Sequence, residues 1–145
     1  MDGIVIRRSA SKEDAAGLRA LRFEVFVHEQ GVPADEELDG HDAAAVHAVA
    51  VQGGVVVGTG RLVVVSAIEA RVGRMAVRAT VRKQGVGGAL LRFLEAEARS
   101  RGMARIVLHA QVYVRSFYGK HGYVAEGEVF TEAGIEHISM TKALV

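Results

Sequence analysis

Three glycines, at positions 85, 87 and 88, stand where an apolar run with branched residues, Val72 to Val77, gives way to a stretch in which Val86, Leu90, Phe93 and Leu94 recur at helical spacing. A strand that reaches a helix through glycine leaves the backbone amides of the helix start bare, because no Cβ atoms shield them. An anion can then approach those amides closely, and the helix dipole adds to the attraction. Arg82 and Lys83, immediately ahead, supply counter-charge, so loop, dipole and side chains together favour a phosphate-bearing ligand. The competing reading is a flexible turn before a helix. Neither common nucleotide loop fits. The dinucleotide fingerprint needs glycine where Leu90 stands, and the Walker pattern needs Gly-Lys-Ser/Thr, which occurs nowhere in the chain.

The elements around that loop read as a mixed α/β fold. Ile4 to Arg7 is a strand, and Ser11 has the spacing of an N-cap for an amphipathic helix from Lys12 to about Val27, striped by Leu18, Leu21, Val25 and Phe26. Ala45 to Val51 and Val55 to Val65 form a hairpin across Gly53-Gly54. After the strand from Val72 and the helix closed by Gly102 come a strand from Arg105 to Ala110 and a short helix from Val112 to His121. A last hairpin joins Tyr123–Phe130 to Ile135–Thr141. The order is β-α-β-β-β-α-β-α-β-β. At 145 residues the chain has the size of one domain, 1–145, and no internal repeat or linker interrupts it. No apolar run approaches the roughly 18 residues that span a bilayer, and Met1 to Ala10 lacks the order of a secretion signal, so the chain reads as cytoplasmic with no membrane partner. It has no cysteine, which removes disulfides, thiolate nucleophiles and cysteine-based zinc sites.

Formal net charge is only +1, but charge is unevenly placed. Glu29, Asp35, Glu36, Glu37, Asp39 and Asp42 share a segment without a Lys or Arg, whereas Arg71, Arg74, Arg78, Arg82 and Lys83 share one without an acid. The basic block is short and has no interleaved aromatics, which argues against nucleic acid and for a small polyanion. Two solvated surface stretches are the bland alternative.

Arg82-x-x-Gly85-x-Gly87 after Met75-Ala76-Val77, followed thirty residues on by Phe117-Tyr118-x-Lys120-x-Gly122-Tyr123, resembles the two signatures of the GNAT acyl-CoA N-acyltransferase superfamily. Val25 to Pro33, with Glu37-Leu38-Asp39 and Asp42, is similar to its small ElaA-like branch, and the likeness spans nearly the whole chain. The family often has Asn and Ala where Gln111 and Val114 stand. The resemblance implies the GNAT fold, a mixed central sheet flanked by helices, and acetyl-CoA as acyl-donor co-substrate. It implies that the pyrophosphate lies on the amides of Lys83, Gln84, Gly85, Val86, Gly87, Gly88 and Ala89, with Arg82 beside them. The pantetheine arm would pair with the backbone of Met75, Ala76 and Val77, with Gln111, Phe117 and Tyr118 completing the donor site. The Val77 amide would polarise the thioester carbonyl.

Acetyl transfer to an amine needs a free amine, a stabilised oxyanion and a proton for the departing thiolate, and it needs no covalent intermediate. The resemblance puts Tyr118 in the general-acid position, and a phenol with an ordinary pKa near 10 is protonated at neutral pH. Glu29, His109 and Glu128 are the candidates for taking the amine proton; His109 shares strand parity with Gln111. The six histidines have no metal spacing, so no metal is expected. The acidic segment suggests an acceptor mouth that concentrates a cationic amine, with charge reversal at Glu36 and Glu37 expected to raise KM. The expected activity is transfer of acetyl from acetyl-CoA to a primary amine of a small-molecule acceptor. The alternative is a non-catalytic acyl-CoA-binding sensor or interaction module. The apolar final hairpin offers a surface for a homodimer.

Overall fold

A computed structural model describes residues 3–145; Met1 and Asp2 lie outside the described residues. Seven strands form one sheet in the order β1-β2-β3-β4-β5-β7-β6: β1 (Ile4–Arg8), β2 (Val46–Gln52), β3 (Val55–Val64), β4 (Glu69–Val77), β5 (Arg105–Gln111), β6 (Val124–Glu132) and β7 (Ile135–Ala143). Every neighbouring pair is antiparallel except β4 and β5, which are parallel. Strand ends fall within two residues of expectation except at β4, which begins three residues earlier.

Alternation along the strands divides the core between two faces. Ala48 and Ala50 of β2 and Val57 of β3 meet α3 (Val86–Ser100) through Leu90, Leu91 and Leu94, all without exposure. On the opposite face Val49 and Val56 meet Leu18 and Leu21 of α1 (Lys12–Arg22). Full burial of one such leucine is worth about 1.5–3 kcal/mol. The only acidic side chain of α3 in its buried stripe, Glu95, accepts from the Tyr123 hydroxyl at 2.9 Å and from Lys142 Nζ at 3.2 Å. That satisfies a carboxylate that would otherwise oppose the core. Among the described residues no helix is long and apolar enough to cross a membrane.

The first helix departs from expectation. Ser11 caps it as its spacing suggested, accepting from the Asp14 amide at 3.0 Å, but regular α-geometry ends at Arg22 and Phe23–Glu29 continues as a π-helix. The Gln30 amide reaches back to the Val25 carbonyl, five residues away. Wider turns of this kind re-aim side chains and concentrate at functional sites. The expected helix from Val112 likewise splits into a 3-10 turn, Val112–Val114, and α4 (Arg115–Lys120). Two of the three residues in that turn are β-branched valines, stiff at χ1 and weak helix formers.

Candidate active site

The parallel junction of β4 and β5 is short: only Glu69, Ala70 and Arg71 find partners, in Arg105, Ile106 and Val107. Beyond it the strands splay. β4 also carries an extra residue, since Ala76 opposes Thr59 while Gly73 opposes Arg61, and Arg74 takes a positive φ of 53° in the bulge. The wedge opens into a cleft of about 1250 Å³. Val72, Met75, Ala76, Val77 and Leu108 line it along the two strands, Tyr118 and Gln111 at the far end of β5, and residues 35–39 and the tip of the β6–β7 hairpin at its sides.

The glycine loop sits where the cleft's β4 wall ends. Gly85 caps α3 with φ +84°, Lys83 has φ +64°, and no side chain caps the first turn, so the amides at the start of a fifteen-residue helix are left for a ligand. Gly87 and Gly88 have a second use. A Cβ on Gly87 would lie 3.4 Å from Phe117 Cζ, and one on Gly88 would lie 3.1 Å from His121 Cε1. Glycine there lets α4 pack against the loop, which brings Phe117 and Tyr118 beside it. Lys83 through Ala89 and Phe117 do not themselves line the cleft, whereas Met75, Ala76, Val77, Arg82, Gln111 and Tyr118 do.

Tyr118 is 9% exposed and lies edge-on to Phe117, with centroids 5.0 Å apart, and to Tyr123 at 5.9 Å. Burial, with a smaller contribution from Tyr113, pushes its phenol up to about 12. Gln111 donates to Gln30 Oε1 at 2.9 Å and so ties the end of β5 to the residue that follows the π-helix.

The base candidates meet different surroundings. Glu29 lines the cleft, but both of its oxygens accept from Arg82 Nη2, at 2.9 and 2.8 Å, while Arg82 Nε donates to the Val77 carbonyl at 2.8 Å. His109 also lines the cleft, with Nδ1 3.3 Å from Glu132 Oε1. Glu128 lies outside the cleft lining, in the irregular stretch of β6 between Glu126 and Phe130. His137 and Glu132, which sequence reasoning passed over, stand in the wall beside His109. No pattern in the sequence marks either, since the register that pairs His137 with Gln111 across β5 and β7 exists only in the folded sheet.

The acidic segment is not the open mouth expected. Glu37, 2% exposed, accepts from Arg22 Nε and lies 3.6 Å from Arg74 Nε. Asp39 binds Arg61 and lies 3.2 Å from Arg74 Nη2, and Asp42 accepts from Arg22 at 2.8 Å and from Arg61 at 3.0 Å. Three arginines thus neutralise three of the acids, and charge reversal at Glu37 would break a buried ion pair before it altered attraction of an amine. Of the segment's acids, Asp35 and Glu36 line the cleft without an ion-pair partner among the described residues, whereas Glu29 and Asp39, also exposed there, are paired with arginine. The basic block is likewise divided: Arg74 joins this network, Arg78 pairs with Glu24 at 3.2 Å, and Arg82 pairs with Glu29. It is therefore not one continuous polyanion site.

Comparison with known proteins agrees with this architecture. A family profile described as "Acetyltransferase (GNAT) domain" matches residues 7–144. YjcF of Bacillus subtilis, described as an uncharacterized N-acetyltransferase, is 36% identical over 143 residues, covering 98% of this chain and 99% of that one. Among solved structures, an acyl-CoA N-acyltransferase from Pseudomonas aeruginosa superposes with a TM-score of 0.83 at 31% identity, covering 97% of this chain and 98% of its own. Escherichia coli ElaA superposes with a TM-score of 0.85 at 25% identity, covering 96% and 99%. The chain belongs to the GNAT family of acetyltransferases.

Proposed function

We propose that this acetyltransferase takes its acetyl group from acetyl-CoA and passes it to a primary amine of a small-molecule acceptor by direct attack. The observation that carries the reading is the buried Tyr118, held by α4 at the splayed ends of β4 and β5, beside the uncapped start of α3. The pyrophosphate lies on the amides from Lys83 to Ala89. The pantetheine arm adds to Met75, Ala76 and Val77 as an extra strand, where the splay leaves β4 without a partner on that side. The Val77 amide faces the thioester oxygen, and positioning supplies much of the rate. Tyr118 gives its proton to the thiolate as the C–S bond breaks. Burial, which keeps the phenol neutral, also shields this transfer from water.

The reading is tested by the melting temperature with excess acetyl-CoA, using ATP as a phosphate-bearing control. Ligand at 100 times Kd adds about 2.7 kcal/mol, a rise of several degrees for a domain of this size. A rise with acetyl-CoA alone is expected; no rise would mean that the glycine loop only packs α4 and that the donor is wrong.

A further inference from the structure

The cleft wall formed by β5 and the β6–β7 hairpin holds a carboxylate between two imidazoles. Glu132 is the last residue of β6, just before the turn at Ala133 and Gly134, both with positive φ. Its Oε1 lies 3.3 Å from His109 Nδ1 and its Oε2 lies 3.8 Å from His137 Nε2. His137 is 7% exposed, and its Nδ1 is 2.8 Å from the Ile135 carbonyl. Because a carbonyl can only accept, that nitrogen carries a hydrogen, and the ring is fixed. Phe130 stacks on His137 with centroids 6.0 Å apart and meets the His109 ring edge-on at 5.0 Å, so the two imidazoles share one aromatic spacer. The same reasoning applies to His109. A carboxylate can only accept, so its Nδ1 carries the hydrogen, and in the neutral ring the lone pair lies on Nε2. Of the other two candidates, Glu29 has both oxygens on Arg82 and Glu128 lies outside the cleft lining.

We propose that His109 Nε2 takes the amine proton, and that Glu132 is a positioning residue that fixes the His109 tautomer. This rests on the acetyl-transfer reading above. The amine nitrogen bonds to the thioester carbon, the C–S bond breaks, one proton passes from nitrogen to His109, and the thiolate takes one from Tyr118. Both side chains then re-equilibrate with solvent. The products are an amide and the free thiol of coenzyme A. A carboxylate behind an imidazole acts through orientation, and its loss commonly costs 10–100-fold, whereas loss of the base itself costs about 100-fold or more.

The test uses the full chain as wild type and as H109Q, E132Q, E132D and E136Q. Thiol release from acetyl-CoA is followed with benzylamine, spermidine or Nα-acetyl-lysine, whichever the wild type acetylates fastest. E132Q is expected to lower kcat about 10–100-fold with the KM for acetyl-CoA within about twofold, and E132D to recover part of the loss. E136Q, which removes an exposed carboxylate from the same hairpin, is expected to leave turnover unchanged. The imidazole nitrogen shifts of labelled protein provide a readout that needs neither donor nor acceptor. The wild type should show His109 protonated on Nδ1, and E132Q a mixture of tautomers. An unchanged tautomer in E132Q, or H109Q turning over within about threefold of wild type, overturns the proposal. Failure of acetyl-transfer itself shows separately, as the absence of any thermal shift with acetyl-CoA.

Discussion

Tyr118 illustrates how burial alters the chemistry of one side chain. Its phenol is pushed up to about 12, so it keeps its proton throughout the range in which amines become nucleophilic. Tyr118→Phe is expected to lower kcat by about 100-fold while acetyl-CoA still raises the melting temperature, which titration with donor and steady-state kinetics measure side by side. Equal loss of donor binding would mark the ring as structural. The raised value also carries a stability consequence. The unfolded phenol ionises near pH 10 and the folded one is pushed up to about 12, so its contribution is intact below pH 10 and is lost as pH rises towards 12. The residue itself was legible in the sequence through the Phe117-Tyr118-x-Lys120-x-Gly122 pattern. Glu132 and His137 were not, because only the hairpin register, with an irregularity between Glu126 and Phe130, brings them beside His109.

Among the elements, the acidic segment with α2 (Ala34–Glu37) shows most clearly what pattern alone leaves open. A run of carboxylates reads as a solvated face or an electrostatic funnel, yet its partners Arg22, Arg61 and Arg74 come from α1, β3 and β4, up to 37 residues away. Arg74 reaches the segment from the β4 bulge, a feature to which periodicity is blind. Arg61 is 6% exposed, and its removal takes one of two arginine partners from each of Asp39, which keeps Arg74, and Asp42, which keeps Arg22. Arg61→Met is therefore expected to destabilise the fold by about 1–3 kcal/mol, measured by urea unfolding. A cost below about 1 kcal/mol would show that the network is an exposed surface pairing. The helix boundaries missed for the same reason: an amphipathic stripe specifies a face, and the stripe through Val25 and Phe26 is compatible with either the α or the π turn that Phe23–Glu29 adopts.

For the whole molecule, the succession of strands and helices and the place of the glycine loop ahead of α3 were legible in the chain, while the order of strands in the sheet and the cleft were not, the cleft because it is made by the absence of pairing. β4 and β5 share three residue pairs and then part. Donor binding should slow amide exchange in Met75 to Val77 while leaving Glu69 to Arg71 unchanged, since the latter are already paired; exchange mass spectrometry reads both segments at once. Uniform protection would point to general tightening instead. Acid sensitivity also belongs to the molecule as a whole. Hydrogen bonding and charge from Arg7 and from Arg61 hold Asp14 and Asp39 well below the usual carboxylate range. Burial opposes the same shift at Asp42, but Arg22 and Arg61 outweigh it. Folded values lie below unfolded ones, so this stability is present above about pH 4 and is lost as pH falls further. Melting temperatures from pH 7 to pH 3 should fall accordingly, and less steeply in Arg61→Met, where Asp39 has lost the strongest of its hydrogen-bonded partners.

The cleft's side walls, residues 35–39 and the hairpin tip from Glu132 to Ile135, belong to different stretches of chain from β4 and the start of α3. On the proposed reading, what receives the acetyl group and what delivers it are therefore encoded in separate segments. A lineage could rewrite those walls at positions such as Asp35, Glu36 and Ile135, with Glu37, Asp39 and Glu132 kept, and acquire new acceptors while inheriting its donor unchanged.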